Sequence, residues 1–424
     1  MADIRPFCGL RYSPAHDLSL VTSPPYDVIS PQQRLGLLER SPHNIVAITL
    51  GPGETNSQSW YDQAAGTKRD WIADGVIQRD SEPALYGYSQ VFEGPQGTPL
   101  IRTGFMACVR LRPWGQGIHR HEFTRKGPRA DRLALMKAMR ANTSPVFGLF
   151  RDPYRDIARL LTPPAGAQRF SDDAVEHVFW PITDPTIVQT IVGAMAHRDI
   201  VIADGHHRYE TALAYSHYCR QQTPSAGELA SDYVMIYLNA IEDPGLLVLA
   251  CHRVIHDWPV DVAKLLQDLS ADFELLPAPQ GHTLSDLITP SEDEILLGAI
   301  LPDKSRWLLR LRDRQRAIEG ASGHSDPMLA TLDVAVLQNL VLEPHLGIDA
   351  NVLSGTGHVT YTIDEDLAHH AVCSGRASAA FIINATTLEQ VWETALTGVT
   401  LPQKSTYFSP KLQTGLVFNA LETL

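Results

Sequence analysis

Cysteine is scarce, and none of it is paired along the chain. Cys8, Cys108, Cys219, Cys251 and Cys373 are odd in number, and no two stand in a CxxC spacing. That argues against a cysteine zinc site and fits a reducing compartment better than a disulfide framework. Positive charge is also in deficit: 35 Lys and Arg against 48 Asp and Glu leave a formal net charge of −13. Such a balance argues against a broad nucleic-acid-binding surface, so no nucleic-acid partner is expected. It leaves room for a local basic pocket that takes a phosphorylated small molecule. No uninterrupted apolar run approaches membrane-spanning length, and the opening Met1-Ala2-Asp3-Ile4-Arg5-Pro6-Phe7 has no apolar signal core. The expectation is a cytoplasmic protein without membrane contact. No internal repeat or low-complexity tract breaks the chain.

What is present reads as an ordinary globular composition, 44% hydrophobic and 20% charged over 424 residues, long enough for two or three domains. Ser30 followed by Pro31 marks a helix start, Ile45–Leu50 reads as a buried strand, and residues 58–74 as an amphipathic helix stopped by Gly75. Ala84–Phe92 and Arg102–Leu111 read as paired strands, and Asp131 as the cap of a helix running to about Asn142, before the strand Pro145–Phe150. Polar, proline-rich residues 151–173 make a joint. Tyr233–Asn239 and Leu246–Ala250 read as strands on either side of a turn, and a later helix opens at Asp326-Pro327 and closes at Glu343-Pro344. Gly355-Thr356-Gly357-His358 reads as a hairpin loop. The fold class is mixed α/β (α+β), with an N-terminal α/β region over 1–155, a motif-bearing region over 156–256 and a C-terminal α+β region over 257–424.

Residues 199–215 are the most informative stretch. The β-branched run Ile200-Val201-Ile202-Ala203 ends at Asp204-Gly205, and His206-His207-Arg208-Tyr209 then opens a helical pattern. A strand feeding a helix through a glycine turn places unpaired N–H groups and the positive end of the helix dipole at the turn, which suits an anion. Taken singly, Gly205 is a turn glycine, the histidines surface residues and Arg208 an ion-pair partner. Together they concentrate phosphate-binding chemistry, with Asp204 supplying a carboxylate and Glu210 placed to orient His206.

Two further clusters carry chemistry. Lys404-Ser405-Thr406-Tyr407-Phe408-Ser409-Pro410-Lys411 offers ammonium and hydroxyl donors to phosphate, although it lacks the spaced glycines of a Walker A loop. Lys404, Ser405 and Thr406 are expected to fold back onto Asp204–Arg208; a solvated surface loop is the competing reading. His119, His121 and Glu122 could present metal-ligand nitrogens or a general base, with Arg125, Lys126 and Arg129 adding positive charge. Pro24-Pro25-Tyr26-Asp27 is a rigid turn.

Six motifs in order extend this picture: Arg5-Pro6-Phe7, Pro24-Pro25-Tyr26-Asp27-Val28-Ile29-Ser30, His121-Glu122-x-Thr124, Ala141-Asn142-x-Ser144-Pro145, Ala203-Asp204-Gly205-His206-His207-Arg208-Tyr209 and Pro402-x-Lys404-Ser405-Thr406-Tyr407-Phe408. With them the chain resembles the bacterial and archaeal family catalogued as domain of unknown function 1015. Phe123 and Ser409 are its mild departures. Asp204–Arg208 is also similar to the phosphate-binding signature of the ParB/sulfiredoxin-like superfamily, which includes free serine kinases. That resemblance implies a ParB/sulfiredoxin-like element in the middle region, with phosphates held at the glycine turn and the preceding aspartate serving catalysis.

The leading expectation is a phosphotransferase that uses a nucleotide (ATP or ADP) and Mg²⁺ to phosphorylate a small hydroxylated metabolite, with free L-serine implied by the superfamily likeness. Asp204, Glu122 and His207 are its candidate catalytic residues. Gly205, His206, Arg208, Lys404, Ser405 and Thr406 would hold phosphate, and Tyr26, Asp27 and His121 would line the substrate. The alternatives are a metal-dependent phosphoester hydrolase built on His119, His121, Glu122 and the later histidines, and a non-catalytic nucleotide-binding regulator.

Overall fold

The computed structural model describes residues 2–53, 56–122, 127–224, 227–291, 294–320, 327–355 and 357–421. The chain is mixed α+β, as its sequence pattern implies. Its contacts sort into two units. The first gathers residues 1–120, 124–247 and 410–424, and the second residues 121–123 and 248–409. The first unit therefore takes in the proline-rich stretch 151–173, most of the motif-bearing region and the last turn of the chain.

A nine-stranded sheet forms the first unit. Across it run Ile118–Arg120, Ile200–Asp204, Val146–Phe150, Tyr233–Ala240, Pro99–Arg110, Leu85–Glu93, Val175–Ile182 and Gln168–Asp172, with Ile4–Arg5 added beside Pro99–Arg110. Two neighbouring pairs are parallel, Ile200–Asp204 with Ile118–Arg120 and Tyr233–Ala240 with Val146–Phe150. Tyr233–Ala240 is buried at every position, as a central strand covered on both faces must be. Ile200, Ile202, Ile236 and Leu238 pack with Ile191 and Met195 of helix Pro185–Met195 and with Tyr209 and Ala212 of helix His206–Gln222. Local signals start these elements: Ser30 and Gln33 form a reciprocal capping box, and Asp184 caps a helix with Pro185 at its first position.

A six-stranded, wholly antiparallel sheet organises the second unit, in the order Phe273–Pro277, Arg306–Leu311, Leu296–Ile300, Ala379–Ile382, His252–Ile255 and Val359–Thr362. Strict alternation divides its side chains. Ile255, Leu297, Leu309 and Phe381 enter one core, whereas Val254, Leu308, Ala380 and Ile382 enter another against Ala368 and Val372.

Four local expectations are corrected. Ile45–Leu50 is not a strand: Val46–Thr49 is a short helix, held by Asn44, whose Oδ1 accepts from Val46 N and whose Nδ2 donates to Leu20 and Thr22 carbonyls. A short apolar run does not distinguish a buried helix from a buried strand. Asp131 lies inside helix Gly127–Met139 instead of capping it, because Tyr61, Asn56 and Arg132 take up its carboxylate. The helix read from Asp326 to Glu343 is broken into Pro327–Ala330, Asp333–Leu337, a π-turn over Gln338–Leu342 and Glu343–Leu346; Asp326 itself lies outside the described residues. Gly355 ends helix Ala350–Gly355, and among the described residues a helix, not a strand, precedes the strand Val359–Thr362; Thr356 lies outside the described residues. Among the described residues, no helix is long and apolar enough to cross a membrane.

Candidate active site

The strand Ile200–Asp204 delivers the site. Its register against Val146–Phe150 shifts between Ile202 and Asp204, a bulge that re-aims the chain at its last residue. Gly205 follows at φ 86°, ψ 29°, a left-handed conformation that favours glycine, and heads the helix His206–Gln222 without any side-chain cap. The expected strand, glycine turn and helix are all in place.

Asp204 lies between two cations. Its Oδ2 accepts from Lys411 Nζ at 2.9 Å, while its Oδ1 accepts from Gly205 N at 2.7 Å and stands 3.6 Å from Arg208 Nη2. Arg208 is fixed in turn, donating to Ser144 Oγ at 3.0 Å and to the Pro145 carbonyl. Thr414 donates to that same Ser144 hydroxyl at 3.1 Å. The backbone carrying Lys411 is anchored from inside the sheet, because Gln90 Nε2 donates to the Lys411 carbonyl and the fully buried Arg102 to that of Pro410.

Beside this turn lies a cleft lined by residues of the first unit. Helix Gly127–Met139 lends it Arg132, Leu135, Met136 and Met139, spaced to one face. Tyr26, Ser144, Arg208 and Thr211 also line it. The Arg132 guanidinium sits 4.4 Å from the centre of the Tyr26 ring, a cation–π contact at the cleft. Burial, with Asp27 close by, pushes the Tyr26 phenol up to about 12. Asp27 itself is exposed.

The other expected residues distribute as follows. His206 is buried with its ring near Trp114, while His207 is partly exposed. Glu210 stands 3.8 Å from Arg120 Nη1. His119 faces Asp199 at 3.6 Å, and burial pulls its pKa down. Thr124, Arg125 and Lys126 lie outside the described residues, as does the side chain of Arg129.

In the second unit, two of the sequence motifs meet each other. His121 Nε2 hydrogen-bonds Thr406 Oγ1 at 3.0 Å, and Glu122 Oε1 accepts from Ser405 N at 2.9 Å. Ser405 Oγ donates to the Pro402 carbonyl, and the buried Arg253 donates to the carbonyls of Gln403 and Lys404. The Ser405 and Thr406 side chains are buried in these bonds, whereas Lys404 is exposed at φ 57°. Among the described residues, no three His, Cys, Asp or Glu side chains gather as a metal-ligand set.

The sequence model of one family, described as protein of unknown function DUF1015, matches residues 4–335. The chain belongs to this family. No curated protein sequence matches this DUF1015 member. Among solved structures it is similar to a conserved hypothetical protein from Pyrococcus furiosus, at 13% identity over 74% of this chain and 95% of that one, with a TM-score of 0.35. A free serine kinase in complex with AMP matches at 12% identity over 74% of this chain and 92% of its own, with a TM-score of 0.35. C-terminally truncated SbnI from Staphylococcus aureus matches at 10% identity over 73% and 87%, with a TM-score of 0.36. At these scores the likenesses carry no argument about the activity of the DUF1015 chain.

Lys411 is the residue the sequence reading passed over. Two lysines bracket the hydroxyl-rich segment, and spacing alone gave no reason to prefer the second. Its one sequence signal is position, directly after Pro410.

Proposed function

We propose that the protein is a nucleotide-dependent phosphotransferase acting on a small hydroxylated metabolite. The observation that carries this reading is the Gly205 turn, where a glycine-headed helix start meets a strand-end carboxylate flanked by Lys411 and Arg208. Phosphoryl transfer asks a protein mainly to position groups and neutralise charge, and a helix N-terminus beside fixed cations does both. In this reading the turn cradles phosphate, with Arg208 and the partly exposed His207 as donors at the first helical turn. Lys411 exchanges Asp204 for phosphoryl oxygens, which releases the carboxylate to accept the proton of the attacking hydroxyl. Lys411 thus takes the part first assigned to Lys404. Mg²⁺ would be held by Asp204 and the phosphates themselves, since this cation commonly uses one or two carboxylates with phosphate oxygens and water.

A hydrolase metal site of His119 with His121 finds less support, because Asp199 engages the first imidazole and Thr406 the second. The resemblance of Asp204–Arg208 to the phosphate-binding signature of free serine kinases makes adenine nucleotides and L-serine the first probes. Purified protein incubated with ATP or ADP, Mg²⁺ and L-serine, then a panel of hydroxylated metabolites, should give a phosphorylated product by ³¹P NMR. Asp204→Asn should slow turnover by about 10²–10⁴-fold, the usual contribution of a general base. Nucleotide binding without any turnover would favour the regulator, and absence of binding would overturn the reading.

A further inference from the structure

The cleft beside the Gly205 turn has no role in the chemistry above, yet its lining is specific. Leu135, Met136, Met139, Val146 and Val234 make it apolar. Polar groups interrupt that lining, among them Thr211 and Asn142. Thr211, 1% exposed, carries a hydroxyl with no hydrogen-bond partner, although a helical threonine can readily bond back to the preceding turn. Asn142, 3% exposed, spends its carboxamide oxygen on Met235 N and Asn419 Nδ2, and no hydrogen bond engages its NH₂ group. A buried hydroxyl left unpaired is destabilising, so an unmatched one lining a cleft points to a missing partner.

We propose that this cleft takes the heteroaromatic base of the nucleotide; the inference rests on the phosphotransferase reading and deepens it. An aliphatic occupant would satisfy the apolar lining and strand both Thr211 and Asn142. A sugar would satisfy the polar groups and waste the methionines. A base has two apolar faces and an edge of alternating donors and acceptors, and so answers both requirements. Met136 and Met139 supply soft thioether surfaces suited to an aromatic face. The geometry of the helix supports the same assignment. Arg208 and Thr211 are three residues apart and therefore on one face, with the hydroxyl about 4.5 Å further along the axis than the guanidinium's residue. The base would lie against Thr211 and the phosphates toward Arg208 and Gly205.

Calorimetric titration of the full chain separates this inference from the one beneath it. The probes are ADP, which has a base, and inorganic tripolyphosphate, which has none. Thr211→Val keeps the shape and removes the hydroxyl; it should weaken ADP about tenfold and leave tripolyphosphate unchanged. Met136→Trp fills the cleft and should abolish ADP binding while tripolyphosphate still binds. If wild type binds both probes and neither variant alters ADP affinity, the base lies elsewhere and only this inference falls. If both variants weaken the two probes equally, the cleft serves the phosphates and the base assignment is wrong. If wild type binds neither probe, the phosphotransferase reading fails and takes this one with it.

Discussion

Lowering the pH from 7 toward 4 should destabilise the first unit through His177. This residue sits on strand Val175–Ile182, only 1% exposed, with Tyr88 OH on its Nδ1 at 2.8 Å and no partner at Nε2. Its ring stacks on Phe170 at a centroid distance of 4.7 Å. Burial first, and the nearby Arg102 guanidinium second, push its pKa down to about 4. The folded imidazole is therefore neutral where an unfolded one, with a pKa near ~6.5, already carries a proton. Between these values the unfolded state binds more protons, so stability fully present above about pH 6.5 is lost progressively down to about pH 4. A gap of about 2.5 pH units at ~1.36 kcal/mol each amounts to about 3 kcal/mol. His252 in the second unit is pushed down to about 4 as well, and His119 and several paired carboxylates are also shifted down, so the total acid response mixes several sources. Urea unfolding of wild type and His177→Gln at pH 7, 6, 5 and 4.5 isolates the first. The variant should lose less stability on acidification, with the gap between the two proteins closing by about 2–3 kcal/mol. An unchanged pH response in the variant, or an imidazole resonance of His177 titrating near pH 6.5, would refute the reasoning.

Two further outcomes follow from the same structure. Gly205→Ala places a methyl in a left-handed backbone, which costs about 1–2 kcal/mol, and brings that carbon 2.8 Å from Arg208 Nε. Denaturation should show that loss, and nucleotide affinity should fall further than stability does, because Arg208 has to leave Ser144. Asp152→Ala removes a fully buried carboxylate that accepts from Asp156, Ile157 and Ala158 N–H groups and pairs with Arg198 at 3.1 Å. Breaking one side of such a pair costs about 3–5 kcal/mol, measurable as a lower urea midpoint with no change in ligand affinity per folded molecule.

The Gly205 turn was legible because its signals are local: a β-branched run, a glycine and a helical pattern occupy seventeen consecutive residues. The helix at 58–73 and the strands around Leu85 and Pro99 were legible for the same reason, through periodicity. Lys411 was not, because its partner Asp204 is 207 positions away and nothing between them records that distance being closed. Arg102 was equally hidden, since an arginine inside a strand pattern normally faces water. The cleft escaped notice for a subtler reason. Leu135, Met136 and Met139 read as the core face of an amphipathic helix, and sequence periodicity cannot tell a filled core from a lined cavity. Ile45–Leu50 misled because the hydrogen bonds of the Asn44 carboxamide outweighed the β-branched run.

The first unit is interrupted: its long segment ends at residue 247, and residues 410–421 return to it after the second unit's sequence. On the ribosome this imposes an order of assembly. When Asp204 and Arg208 emerge, the lysine that pairs with the carboxylate has not been made, nor has Thr414, which completes the Ser144 contact. At ~5–20 residues per second the intervening stretch takes roughly 10–40 s to synthesise. For that interval Asp204 has Arg208 beside it and lacks its second cation. A chain that stopped before Lys411 would keep the recognisable motif and lack the cation paired with Asp204.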